Sequence, residues 1–361
     1  MLQRVATTGG DLDNVYYRTL GRIKEQKGDR SRLGMEVLMW VSHAERPLRI
    51  DELCHALAVE MGATDIDLEN IRPQDTVLRS CLGLAVVDNE TCTVRLIHYT
   101  VQEYLFRPGV LPDAHKILGQ TCLTYLNYEQ VKGLRVDGIS NPRDMPFLEY
   151  SSLYWGSHAK IQLSDQAKSL ALKLLNRFDN HISATLLLNQ IEGRHSPPVA
   201  RHLFTGLHCA SYFGVAEVLA TLIEPEGCDV NQRDCIGYTP LMWAAQRGHE
   251  AAARLLLIRG KVDPNKPDND GRTPLWPASL NGHASVVRLL LNQDGISPDK
   301  PDNYGRTLLW WASASGKKEV VVQLLKRHDV NPDAPDIIGR TPLLVASMNG
   351  HREIVPLLQL R

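Results

Sequence analysis

Thirteen histidines and seven cysteines are the residues of this chain best suited to metal binding or nucleophilic chemistry. His195, His202, His208 and Cys209 are the imaginable set of metal ligands, and four is the number a structural zinc takes. Their spacing matches no common zinc pattern and no C-x-x-C pair occurs, so neither a metal nor another cofactor is expected. No Ser/His/Asp or Cys/His arrangement stands out as a nucleophile beside its base. A G-x-x-x-x-G-K-S/T loop is absent, and with it the cradle of backbone N–H groups and lysine that holds nucleotide phosphates. No strand ends in paired acids to hold magnesium. The expectation is a protein that is not an enzyme.

The elements that would have to position any site are dominated by a repeat. Thr205 returns at Thr239, Thr273, Thr307 and Thr341, always 34 residues on. Ala210 keeps the same step through Ala244, Ala278, Ala312 and Ala346, and Gly214 through Gly248, Gly282, Gly316 and Gly350. A fixed period of this size means stacked units, each burying its apolar face against its neighbours. Such arrays present an extended surface of side chains and usually bind macromolecules. Within one unit, Thr239 is a good N-cap and Pro240 sits at the first helical position, where its missing N–H costs nothing. Leu241, Ala244 and Ala245 share a helical face. Gly248 supplies the left-handed turn that ends this helix. A second helix carries Ala252, Leu255, Leu256 and Leu257, and an Asp/Asn/Pro-rich stretch turns the chain into the next copy.

This unit resembles the ankyrin repeat, whose T-P-L-H-x-A signature stands as Thr239-Pro240-Leu241-Met242-Trp243-Ala244, Thr273-Pro274-Leu275-Trp276-Pro277-Ala278 and Thr341-Pro342-Leu343-Leu344-Val345-Ala346. Gly-His follows at Gly248-His249, Gly282-His283 and Gly350-His351. The period is one longer than the family's usual 33. The signature histidine is kept only at His208, and the fourth copy, Thr307-Leu308-Leu309, lacks the proline. The resemblance implies an α-solenoid of five repeats, at about 201–233, 234–267, 268–301, 302–335 and 336–361.

Formal charge is −1 and the repeat region mixes both signs. Neither a nucleic-acid partner nor a membrane surface fits that balance. Cysteines that are scattered and odd in number fit a reducing compartment, with Cys54, Cys81, Cys122 and Cys209 as small core residues. Residues 1–13 lack a hydrophobic signal region, and no apolar run approaches the roughly 18 residues needed to span a bilayer. A soluble cytoplasmic protein is expected, with the nucleus open.

Before the repeats, residues 34–106 read helix, helix, helix, hairpin, helix, the layout of a winged helix. The helices are expected at 35–44, 50–60 and 75–82, the strands at 84–87 and 94–97, and Thr100-Val101-Gln102-Glu103 as a capping box for the next helix. A DNA reader needs basic charge. This segment carries five arginines and no lysine against twelve acids, a balance of −7, so DNA binding is not expected.

Arg46-Pro47-Leu48-Arg49-Ile50-Asp51-Glu52-Leu53 and Ile97-His98-Tyr99-Thr100-Val101-Gln102-Glu103-Tyr104-Leu105 resemble the winged helix of NACHT-type signal-transducing NTPases. The resemblance extends to fungal proteins that follow a NACHT module with ankyrin repeats. Asn14 to Ile23 resembles the helical end of that module, and Tyr150 to His158 the helical segment before the repeats. The implied domains are the end of a NACHT-like helical segment (1–33), a winged helix (34–106), a helical linker bundle (107–198) and the repeats (199–361). Linker helices are expected at 113–127, 147–161, 164–177 and 180–190, with a loop at 129–145 and Pro197-Pro198 at the entry to the repeats. The histidine matching His98 can contact nucleotide phosphates in NACHT relatives. The competing reading is a buried histidine bonded within the wing-to-helix corner. With no phosphate loop, the chain is expected to be a truncated relative or the later part of a longer gene product.

In an ankyrin stack, consensus positions hold the units together and those between them are free to specify a partner. In this register they are Ile236 and Tyr238, Asp270 and Arg272, Tyr304 and Arg306, Ile338 and Arg340 at the loop tips. Gln246, Arg247, Leu280, Asn281, Met348 and Asn349 lie behind them. Repeated arginine with Tyr238, Tyr304 and Ile338 suits a protein partner whose segment carries acidic and apolar side chains; a small-molecule ligand is not expected. In the alternative, each arginine pairs with Asp268, Asp302 or Asp336 and steadies its loop. Trp243, Trp276, Trp310 and Trp311 are expected to pack between repeats rather than line a groove. Pro356 is expected to weaken the last helix. The main reading is a scaffold that binds a protein partner; the alternative is the regulatory and sensor part of a NACHT-type switch in signalling.

Overall fold

The computed structural model describes residues 9–134, 144–192, 203–225, 227–259 and 261–360. His195, His202, Pro197-Pro198 and much of the loop expected at 129–145 lie outside the described residues. Two compact units are present: residues up to 174 together with 181–191, and residues 175–180 together with 192–361.

The first unit opens with α1 (Gly9–Lys24) and α2 (Arg30–His43). They are followed by α3 (Ile50–Leu57), α4 (Gln74–Ser80), the hairpin β1 (Ala85–Asp88) and β2 (Thr93–Leu96), and α5 (Tyr99–Leu105). The strands are antiparallel, with Ala85 opposite Leu96. The stretch before α3 adds to the hairpin, since Val94 N–H donates to Leu48 O at 2.8 Å and Ile50 N–H to Cys92 O at 3.0 Å. An ion pair on a buried carboxylate fixes that corner: half-buried Arg46 donates two bonds to Glu52, of 2.7 and 2.8 Å, and Arg49 N–H adds a third of 2.8 Å. This is a winged helix.

Beyond it come α6 (Ala114–Leu126), a one-turn α7 (Glu129–Lys132) inside the expected loop, α8 (Leu148–Ile161), α9 (Asp165–Leu175) and α10 (Ile182–Glu192). Aromatic rings fill the core, Trp40 meeting Phe147 and Tyr150 edge-on at 5.4 and 5.8 Å. A chain of polar bonds runs through it. Glu45 N–H donates to Tyr150 Oη at 3.1 Å, Tyr150 and His158 Nε2 are 2.9 Å apart, and His158 Nδ1 and His115 Nδ1 are 2.9 Å apart. Burial, with His115 and His43 nearby, pushes His158 down to about 3.

The second unit is five helix pairs: α11 and α12 (Gly206–Phe213, Ala216–Leu222), α13 and α14 (Pro240–Gln246, Glu250–Arg259), α15 and α16 (Leu275–Leu280, Ala284–Leu291), α17 and α18 (Leu308–Ala314, Lys318–Leu325), α19 and α20 (Pro342–Met348, Val355–Gln359). The expected devices are present. Thr239, Thr307 and Thr341 each accept a bond from the backbone N–H three residues on, at 3.3 Å. Gly248 takes a left-handed φ of 70°. The Gly-His pair has a physical reason. His249, His283 and His351 point Nε2 at the carbonyls of Tyr212, Gln246 and Ala314 in the preceding copy, at 2.9 to 3.0 Å, and so staple neighbouring helix ends.

Two expectations are corrected here. Thr100 does not cap α5: His98 does, its ring accepting from Thr100 N–H, while Thr100 Oγ1 bonds His98 Nδ1 at 2.8 Å and Tyr16 Oη at 2.7 Å. Pro356 does not interrupt a helix, because α20 begins at Val355 and places the proline in its first turn, where no N–H is needed.

Candidate partner-binding surface

Each loop between repeats is built on an aspartate. Asp302 Oδ1 accepts the backbone N–H of Tyr304 and of Arg306, both at 2.9 Å. Asp234, Asp268 and Asp336 do the same in their copies. The second oxygen takes a side chain: Arg272 Nε at 2.7 Å on Asp268, Arg306 Nε at 2.9 Å on Asp302, and Arg340 Nε at 2.7 Å on Asp336. Successive tips also bond each other, Asn303 N–H to Asp270 O at 2.9 Å and Ile337 N–H to Tyr304 O at 3.0 Å. A rigid row of tips results.

The arginines therefore do structural work, and the geometry favours the loop-steadying alternative for their Nε edge. Their planes lie on rings: Arg272 is 4.2 Å from the Trp276 ring centre, Arg306 is 4.4 Å from Tyr304 and 4.3 Å from Trp311, and Arg340 is 5.3 Å from Trp310. Arg272 also pairs with Asp270 at 2.5 Å. Arg306 differs, since no described residue bonds its Nη groups; its side chain is 19% exposed, close to the 21% of Arg272 and below the 36% of Arg340.

Tyr238 is a correction. It stands in the register position of the three arginines but is only 5% exposed, its ring 5.1 Å from Trp243, so it packs rather than reaches outward. Asp234, whose copy has Tyr238 at the arginine position, accepts the Trp243 indole N–H at 2.7 Å, as Asp302 accepts that of Trp311 at 3.1 Å. Trp243 and Trp310 are buried and Trp276 and Trp311 half-buried, as packing requires. Trp310 donates to Arg340 O at 3.0 Å, the bond to the next loop that His208 makes to Tyr238 O at 3.2 Å. Burial holds His208 down at about 4.

The remaining surface residues divide by copy. Ile236, Asp270, Gln246 and Leu280 are half-buried. Arg247 is exposed and lies over Tyr212 at 4.7 Å. Asn281 and Asn349 are exposed, each using its amide on a helix carbonyl. Tyr304, Ile338 and Met348 are 50%, 68% and 66% exposed. Ile337 and Leu344, which the sequence reading missed, join them at 70% and 45%. The signal was available: the tip pairs read Cys235-Ile236, Asn269-Asp270 and Asn303-Tyr304, then Ile337-Ile338, two large aliphatic residues together. Apolar exposure thus gathers on the last two copies, with Tyr304 lying against Arg306.

His98 lies elsewhere, in the first unit. It is exposed, against the buried reading, because its ring sits at the open start of α5, tilted against Tyr99 with ring centres 4.4 Å apart. Among the described residues no group of three or more metal-ligating side chains is gathered, and no helix is long and apolar enough to cross a membrane.

No curated protein matches the chain. Residues 207–302 and 295–360 match the family of ankyrin repeats, and residues 24–114 match the winged helix domain of GPI inositol-deacylase. The chain thus carries ankyrin repeats that follow a winged-helix domain of the GPI inositol-deacylase type.

Proposed function

We propose that the chain is a non-enzymatic binding protein whose ankyrin repeats hold a protein partner at the tips and first helices of the last copies. The observation that carries this reading is the exposure of Tyr304, Ile337, Ile338, Leu344 and Met348 on the two copies that carry Arg306 and Arg340, with Tyr304 against Arg306. Exposed apolar side chains beside a half-buried arginine have the composition of an interface hot spot. The rigid tip row lowers the entropy lost on docking. The complementary segment carries a carboxylate for the Arg306 Nη edge and an apolar side chain for the neighbouring isoleucines. Seven free thiols fit a cytoplasmic setting. Affinity capture with the full chain and with Y304A/I337S/I338S tests this: partners of this surface are recovered only by the former, and identical recoveries overturn the assignment.

A second reading is favoured by the winged-helix match. In it, this chain is the regulatory and sensor part of a NACHT-type switch, with the repeats sensing a ligand and the winged helix relaying it. The chain contains no phosphate loop, so under either reading it neither binds nor hydrolyses ATP or GTP by itself. Equilibrium binding of labelled nucleotide at micromolar affinity contradicts that.

A further inference from the structure

We propose that the winged-helix unit carries a second binding site, a cleft beside α1 that takes an acidic polypeptide segment bearing an apolar or aromatic side chain. The cleft has a volume of about 530 Å3 and lies between α1 and the end of α5 with the loop beyond it. Arg18, Arg22 and Lys24 stand on one side, with Tyr17; Tyr104 and Gly109 contribute the other.

Three observations point to an anionic occupant. The first is charge. Residues 34–106 carry a balance of −7, yet the cleft concentrates three cations against the single carboxylate of Glu25. Among the described residues Arg18, Arg22 and Lys24 form no ion pair. Arg18 and Arg22 are one helical turn apart, a spacing at which like charges repel until an anion is shared between them. The nearby acid is already engaged, since Asp13 accepts two bonds of 2.8 Å from Arg107.

The second is Gly21, which lines the cleft from within α1. A glycine inside a helix costs stability relative to alanine. Packing explains two others: a Cβ on Gly34 would sit 2.5 Å from Ser80 O, and one on Gly119 3.3 Å from His158 Cβ. A Cβ on Gly21 would meet nothing within 4 Å. The space above it is kept open by the sequence and filled by no part of the described chain.

The third is the apolar half of the wall. Tyr17 is 71% exposed at the rim, and Arg107, 5.1 Å from the ring centre, holds Tyr104 in place. Leu20 and Val110 complete this half. Guanidinium forks match carboxylates in two-bond geometry, and the rings take an apolar neighbour. A peptide supplies both in adjacent residues, which a bare phosphate does not.

The test uses the full chain in an R306A background, so that the ankyrin surface does not add to the signal, and a fluorescein-labelled octapeptide of glutamates around a central phenylalanine and leucine. Saturable binding is expected, weakened at least tenfold by R18E/R22E and by G21L, while thermal unfolding of the G21L protein stays level or rises. Raising salt from 50 to 300 mM weakens it further. Equal affinity in G21L, no saturable binding up to millimolar peptide, or displacement by pyrophosphate at lower concentration than by unlabelled peptide each overturns the proposal. Because the background lacks the ankyrin arginine, these outcomes leave the reading of that surface untouched.

Discussion

The two units solve the same problem, burying polar chemistry among helices, in opposite ways. The first does it once, with contacts that do not recur among the described residues: Arg46 on Glu52, Tyr150 on His158, and His158 on His115. The second does it by repetition, the same aspartate bonds returning every 34 residues and the same threonine and histidine bonds in three copies each. A one-of-a-kind core ties the fate of every element to a few residues. A repeated one confines damage to neighbouring copies, because each unit touches only the next.

The strongest test of that contrast is Trp40→Ala. Trp40 is 2% exposed and packs on Phe147 and Tyr150, so its removal should cost about 3–5 kcal/mol and raise amide exchange across the first unit together. Exchange confined to α2 breaks the comparison.

Acid should act next most strongly, and unequally. Burial lowers His158 to about 3 and His181 to about 4 in the first unit, and His208 to about 4 in the second. These groups are neutral when folded, whereas the unfolded chain takes up protons near its ordinary 6.5. Their stabilising contribution is therefore complete above pH 6.5 and is lost as pH falls below it. At pH 5 the loss is about 2 kcal/mol for each of these three, hence about 4 from the pair in the first unit and about 2 in the second, and the burial-lowered His43, His55 and His115 add to the first in the same direction. Unfolding followed unit by unit by exchange between pH 7 and 5 checks the sign and the ratio.

Asp302→Ala should cost about 3 kcal/mol, since it orphans the N–H groups of Tyr304 and Arg306, the Arg306 Nε edge and the Trp311 indole. Exchange should rise in the third to fifth copies and leave the first unchanged. His283→Ala, which removes one staple to Gln246 O, should cost about 1 kcal/mol, with faster exchange only at the ends of α13 and α16.

Much of this was legible in the sequence because it rests on local rules. The threonine caps, the glycine turns and the wing strands follow from spacing and turn chemistry, and fell within a residue or two of the observed elements. What was not legible depends on neighbours distant in the chain. Tyr238 and Arg272 share a register position, yet Trp243 draws the tyrosine inward while Asp268 and Trp276 hold the arginine at the edge. His98 reads as a corner residue from sequence, and only the start of α5 at Tyr99 turns it into an exposed cap. The cleft at Gly21 needs α1 and the loop near Gly109 brought together across some 90 residues, which no local pattern announces.

The central claim is that partner binding resides on the last tips and is separable from folding. Its most direct measurement is the dissociation constant of a captured partner for the unmodified chain, for Y304A/I338S and for I258S. Ile258, 75% exposed on α14, is a control of similar exposure away from the tips. Y304A/I338S should weaken binding about 30-fold, roughly 2 kcal/mol, with thermal unfolding unchanged, while I258S binds as the unmodified chain does. Equal affinity for all three proteins, or a loss that follows a fall in unfolding temperature, contradicts the account.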